Sequence, residues 1–161
     1  MRALVQRVSA ASVEVSGEVI GEIGWGLLTF LGIHQQDTES DAHYLARKVV
    51  QLRVFDDESG RMNRSVKDNS GDLLVVSQFT LYGDTRKGNR PSYSEAASGE
   101  RAKHLYELFI ENCKSYGLRV ATGRFQAEMK VRLINEGPVT LLCYSDGRET
   151  QSSQSSSTLC Y

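Results

Sequence analysis

A proline set between two strand-like runs constrains this chain more than any other feature. Residues 129–134 alternate as a half-buried strand does, and residues 139–144 read as a second, more buried strand. Between them lies Asn135-Glu136-Gly137-Pro138, which holds one of only 2 prolines in 161 residues. Proline cannot donate to a sheet ladder. Gly137-Pro138 therefore predicts a turn or a strand edge with its carbonyls left free, and the plain local reading is a hairpin turn. Glycine before it adds freedom of φ, and an X-Pro bond is the one peptide bond whose cis form costs only about 0.5–1 kcal/mol.

The remaining elements predict a mixed α/β domain. Residues 2–8 alternate weakly as a strand. Residues 12–16 alternate cleanly, Gly17 turns the chain and residues 18–20 return, a hairpin. Residues 27–33 are a wholly apolar run of the kind that is buried on both faces. Asp37-Thr38 opens a helix, with Glu39 and Asp41 in the first turn where the dipole favours anions. Its apolar face is Ala42, Leu45, Ala46, Val49 and Leu52. Residues 53–55 read as a strand, 56–60 as a turn and 61–71 as a polar loop. Residues 73–79 carry the strongest buried-strand signal, and they end in polar residues, the end of a strand near which α/β sheets bind ligands. A basic loop follows at 84–93. Ser98 then caps a second helix with Ala102, Leu105, Tyr106, Phe109, Ile110 and Cys113 on its apolar face, and Gly117 ends it. Residues 118–122 read as a short strand and 123–128 as a loop. Gly21, Gly24 and Gly26 do not form GxGxxG, which rejects a dinucleotide fingerprint.

Charge and cysteine content narrow the functional classes. The net charge is −1, which argues against a protein that grips nucleic acid by bulk charge. Yet residues 1–83 carry 8 basic and 11 acidic side chains, whereas residues 84–144 carry 10 and 7. Arg86, Lys87, Arg90, Arg101 and Lys103 are the candidates for a basic patch, set against an ordinary solvated surface. The 3 cysteines are far apart and lack metal-ligand spacing, so neither a disulfide framework nor a metal site is expected. No apolar run is long enough to span a bilayer, and Arg2, Gln6 and Arg7 interrupt any secretory leader; a cytoplasmic protein with no membrane partner is expected. Residues 145–161 are dominated by Ser, Gln and Thr and predict a disordered tail, leaving residues 1–144 as the folded domain.

Two stretches together carry a family resemblance. Ser77-Gln78-Phe79-Thr80-Leu81 and Asn135-Glu136-Gly137-Pro138-Val139-Thr140 resemble the two signature motifs of D-aminoacyl-tRNA deacylases. Gln6-Arg7-Val8, Met62-Asn63, Arg90-Pro91-Ser92 and Gly123-Arg124-Phe125 with Met129 match as well, so the resemblance spans residues 1–144. It implies an α/β (mixed) fold: a barrel-like β core of two packed sheets with two main helices, in a homodimer with its active sites at the interface. It implies no cofactor. The substrates would be D-aminoacyl-tRNA and Gly-tRNA, hydrolysed at the ester on the 3′-terminal adenosine.

The resemblance also assigns roles. The backbone of Ser77, Gln78, Phe79 and Thr80 would bind substrate and stabilise the oxyanion. Gly137-Pro138, in the cis form and held by Arg7, would enter the partner's site, take the α-ammonium on main-chain carbonyls and leave no room for an L side chain. Ala102, Phe125 and Met129 would line the adenosine pocket. Each has a plainer reading: a strand terminus, a turn, a strand-edge charge, ordinary core. No Ser/His/Asp triad is evident, since His43 and His104 lie on predicted helices and His34, like them, reads as a surface group. Thr80 as nucleophile lacks a base to activate it. The family chemistry uses the substrate's own ribose 2′-hydroxyl, which fits a chain with no obvious base. The alternatives are an L-specific aminoacyl-tRNA editing deacylase of the same fold and a non-catalytic nucleic-acid-binding module.

Overall fold

The structure, a computed structural model, describes residues 1–145; the expected tail, Ser145 apart, lies outside the described residues. Within residues 1–145, eight strands and two helices follow in the order β1 (Arg2–Val15), β2 (Glu18–Ile23), β3 (Gly26–Gly32), α1 (Glu39–Gln51), β4 (Phe55–Asp56), β5 (Met62–Arg64), β6 (Asp72–Ser77), α2 (Gly99–Ser115), β7 (Val120–Thr122) and β8 (Lys130–Tyr144). A short 3-10 turn, Phe79–Tyr82, follows β6.

The barrel-like core is one six-stranded sheet in the order β2-β1-β3-β6-β7, with β8 paired to the other edge of β1. Long β1 organises it. Its first half, residues 2–8, lies between β3 and β8, and its second half, residues 11–15, between β2 and β8. β3, β6 and β7 run parallel. The sheet curls until its ends meet, with the Arg119 guanidinium before β7 donating to the Glu22 carbonyl of β2 at 3.3 Å. Gly21 permits this approach, because a Cβ there would sit 2.6 Å from the Thr122 carbonyl oxygen.

Alternation along the strands divides the core in two. Val8, Ala11, Val13, Ile23, Leu28, Leu74 and Val76 fill the barrel interior. Val5, Leu27, Leu31, Leu73 and Val75 face outward and bury the apolar stripes of both helices, with Phe109 at 0% exposure. Adjacent residues of β3 and β6 thus serve opposite cores, which is why both strands read as continuous apolar runs. α1 begins where the Asp41 carboxylate accepts from the Thr38 N–H and hydroxyl, both at 2.8 Å. No helix of the described residues is long and apolar enough to cross a membrane.

Four local expectations change. Residues 139–144 are not the more buried run: Leu141 and Leu142 stand 39% and 45% exposed, since the outer side of β8 has no cover among the described residues. Residues 2–8 and 12–16 are one strand, not two, because β1 continues through an irregularity between Val8 and Ala10. The polar loop at 61–71 contains β5, which pairs with β4. The hairpin turn at Gly137-Pro138 does not form: β8 runs through it and stays paired with β1 on both sides. Gln6 faces Thr140 and Val8 faces Asn135, so four residues of β8 stand opposite Arg7 alone. The surplus chain is extruded from the ladder as a large bulge.

Candidate active site

β6 ends where its chain leaves the barrel. The Gln78 N–H still donates to the Leu31 carbonyl at 2.8 Å, extending the parallel ladder by one bond. The backbone then tightens into the 3-10 turn, whose Leu81 N–H reaches the Gln78 carbonyl at 3.3 Å. Since the Gln78 N–H is used by the sheet, the Phe79 and Thr80 N–H groups, first in the turn, are the ones the backbone presents there. Phe79 stands 56% exposed, its ring edge-to-face with Tyr93 at 5.1 Å. The Gln78 amide donates to the Thr80 hydroxyl.

Beside this turn is a cavity of about 630 Å³. Ser77, Gln78 and Phe79 form one side of it, Ala102 of α2 another, and Phe125 and Met129 the loop-side wall. Six residues from three separate stretches of sequence therefore meet in one place. Thr80 does not line the cavity, and neither do Arg7, Gly137 and Pro138. The wall is mostly apolar, suited to a flat aromatic base, with polar groups concentrated at the β6 end. The Phe125 ring packs at a tilt on Tyr106, 5.6 Å between centroids, and the Tyr106 hydroxyl donates to the Val75 carbonyl at 2.9 Å. Burial raises the Tyr106 phenol far above its usual range. It therefore acts as a fixed donor that holds Phe125 in place.

Sequence reasoning missed part of this wall. Tyr93 and Gln126 line the cavity too, the latter in a left-handed conformation at φ 60°. Ser98 occupies the N-cap position of α2 as expected, yet makes no side-chain capping bond and lines the cavity instead. Its signal was identical to that of a cap. His34, expected at the surface, is buried; its Nδ1 accepts from the Gln36 N–H at 3.1 Å and its ring lies 5.2 Å from Tyr82. The chain stays inside after β3 because Ala96 bridges to it. His43 and His104 are exposed, on Asn112 and Glu39 respectively.

The second motif forms a separate projection. The Gly137–Pro138 peptide is cis. Arg7 is 7% exposed rather than a strand-edge charge. Its Nε donates to the Glu136 carbonyl at 3.3 Å and its Nη1 to the Val54 carbonyl at 2.7 Å, with the Asp56 carboxylate 3.7 Å away. The Asn135 amide donates to the carbonyls of Arg7 and Val139, at 3.0 and 3.1 Å, and ties together the two ends of the bulge. The sequence alone assigns Asn135 no role beyond its place in the motif. Gly137 and Pro138 themselves are exposed. Of the suspected basic patch, Arg86 is held by both oxygens of Asp84 at 2.8 Å, and Arg101 donates to the Asp37 carbonyl at 2.6 Å. Arg86 is thus paired within its own exposed loop, and Arg101 is tied to the chain entering α1.

A family model for D-Tyr-tRNA(Tyr) deacylase matches residues 4–144. A D-aminoacyl-tRNA deacylase of Thermosipho melanesiensis is 59% identical over 143 residues, covering 88% of this chain and 95% of that protein. One from Desulfotalea psychrophila is 56% identical over 146 residues, covering 91% and 98%. Among solved structures, a c-Myc DNA unwinding element binding protein superposes with a TM-score of 0.85 at 42% identity, over 91% of this chain and 99% of that one. A probable eukaryotic D-amino acid tRNA deacylase superposes at 0.77 with 16% identity, over 88% and 97%, a likeness of fold.

Proposed function

The chain belongs to the D-Tyr-tRNA(Tyr) deacylase family, and from that premise we propose that it hydrolyses the ester joining a D-amino acid, or glycine, to the 3′-terminal adenosine of tRNA. The observation that carries this reading is the meeting of Ser77, Gln78, Phe79, Ala102, Phe125 and Met129 around one cavity. The terminal adenosine would lie against Phe125, Met129 and Ala102. The scissile carbonyl would then sit at the β6 end, where the Phe79 and Thr80 N–H groups can receive the developing oxyanion. No side-chain base is required. An aminoacyl ester is already activated, and the ribose 2′-hydroxyl beside it can assist the attack, so positioning supplies much of the rate.

Chirality would be read by main chain from a second copy of the protein. Two features support this. The Glu136–Pro138 bulge is anchored by Arg7 and Asn135 yet projects outside its own cavity. β8 also presents Leu133, Ile134, Leu141 and Leu142 as exposed apolar side chains beside that bulge. Such an edge strand is a natural surface for a symmetric partner. Seated in the partner's cavity, the bulge would offer carbonyls to the α-ammonium and collide with an L side chain. A few kcal/mol of clash suffices, as about 1.4 kcal/mol is tenfold. Work on aminoacyl-tRNA would put the protein in the cytoplasm.

The test is deacylation of D-Tyr-tRNA, L-Tyr-tRNA and Gly-tRNA in parallel. Hydrolysis of the D and glycyl esters with the L ester spared is expected, because a pocket that selects by exclusion cannot refuse an amino acid without a side chain. Equal rates on both hands would end the selection mechanism, and preference for L would favour the L-specific alternative. A second reading, non-catalytic nucleic-acid binding, takes its support from the name of the unwinding-element binding protein. Salt-dependent DNA or tRNA binding with no turnover would favour it.

A further inference from the structure

Phe125 is half-buried and stands between two cavities. One is described above, and the second, of about 440 Å³, is walled by Lys103, Tyr106, Lys114 and Arg124. Two acids, Glu107 and Glu111, line it as well. The cations there are not all neutralised. Lys114 is paired with Glu111 at 2.8 Å. Lys103 and Arg124 are exposed and, among the described residues, take part in no ion pair. They stand on firm elements: Lys103 follows Ala102 on α2, and Arg124 precedes Phe125 in a loop pinned by the Gly123 N–H to the Val75 carbonyl at 3.0 Å.

We infer that this second cavity receives the sugar–phosphate backbone of the substrate RNA where it leaves the terminal adenosine, with Lys103 and Arg124 as the phosphate contacts. The inference rests on the deacylase reading, since it needs an adenosine in the first cavity. A nucleoside held between Phe125 and Ala102 must send its 5′ phosphate out past one wall, and Phe125 is the wall with un-neutralised positive charge on its far side. The other exit, over the 84–93 loop, offers Lys87 and Arg90, which line neither cavity. Arg124 has the planar fork that suits a phosphate, and Lys103 supplies a point charge. Both are on the surface, so they would steer and hold the strand without touching the reacting ester.

The experiment compares D-Tyr-tRNA with D-tyrosyl-adenosine, which has the same ester and no phosphate. In Lys103→Gln/Arg124→Gln, KM for the tRNA is expected to rise about three- to tenfold, the size of two exposed charge interactions, with kcat retained. The salt dependence of kcat/KM should flatten by about 0.7 in log–log slope for each cation removed from a phosphate. Any penalty on D-tyrosyl-adenosine should be several-fold smaller, and Lys103→Arg/Arg124→Lys should restore the tRNA KM. Lys67→Gln, a cation that lines neither cavity, serves as the control. Equal losses on both substrates, no loss on tRNA, or a tRNA-specific loss in Lys87→Gln/Arg90→Gln instead would each overturn the inference while leaving the deacylase reading intact. Failure of the wild type to hydrolyse either substrate would remove both.

Discussion

Arg7 shows how one buried cation can govern an exposed loop. Its guanidinium spans the Glu136 and Val54 carbonyls, so the bulge on β8 is fixed to the β4 region and not to its own strand alone. Lysine carries its donors on a single nitrogen and lacks the fork that lets Nε and Nη1 of Arg7 reach the two carbonyls separately. Arg7→Lys is expected to lower stability by about 1–3 kcal/mol, read from the denaturant midpoint, and to narrow the D-to-L rate ratio. Thr80→Ala should retain most of kcat, because the proposed donor is its backbone N–H and its hydroxyl merely accepts from Gln78. A loss on the order of 10²-fold or more would revive it as an acid–base or nucleophilic group. The Cys113 thiol is pushed up by burial from 9.0 to about 12. As pH rises the unfolded chain gives up this proton first. Stability is therefore full below pH 9 and declines between 9 and 12, in the same direction as Tyr106 contributes. Unfolding midpoints measured from about pH 8 to 11 should fall less steeply in Cys113→Ala. At this scale the sequence was legible wherever residue type and neighbours agreed. Phe125 and Met129 could be placed from their motif. Ser98 could not, since a serine before a helix looks the same whether or not it bonds the helix end.

Elements were legible where periodicity was unbroken. Both helices and the buried strands β3 and β6 fell where apolar spacing put them, because each buries a continuous stripe. The two longest strands were not legible as single units. On β1 the side chains facing the helices are Ala3 and Val5, whereas Val8, Ala11 and Val13 face the barrel. That change of phase looks like the end of a strand, although the backbone continues. On β8 the proline and glycine mark a true interruption of the ladder, but β1 is long enough to recapture the chain beyond it. A local pattern contains no information about a partner strand that spans both sides of a gap. The helix layer depends most on Phe109, fully buried between α2 and the sheet. Phe109→Ala should cost about 3–5 kcal/mol in urea unfolding, and a cost under about 1 kcal/mol would mean the helices are not docked as described.

At the scale of the whole molecule, β8 both borders the cavity, through Val131, and carries exposed apolar side chains, Leu133, Ile134, Leu141 and Leu142. Ile134 is 62% exposed on β8 and has no cover among the described residues. Ile134→Lys is expected to shift sedimentation toward the monomer and to lower deacylation in parallel, since under the proposed assembly a lone protomer would lack the partner's bulge in its cavity. A monomeric wild type with full activity and intact D selectivity would contradict the proposed assembly. The barrel-like core was legible only through the family resemblance, and the sharing of β1 among three neighbours was not legible at all, because both depend on pairings between segments far apart in the chain, as Val13 with Val131. The seam where Gly21 lies against Thr122 has a further consequence. By bringing β2 and β7, the two ends of the strand path, side by side, it shields their borders from a foreign strand, whereas β8, which among the described residues pairs with β1 alone, keeps a free border. In the proposed assembly, recruitment of a neighbour and inspection of an amino acid's handedness would both fall on the 15 residues of β8, so a change made to retune one would disturb the other.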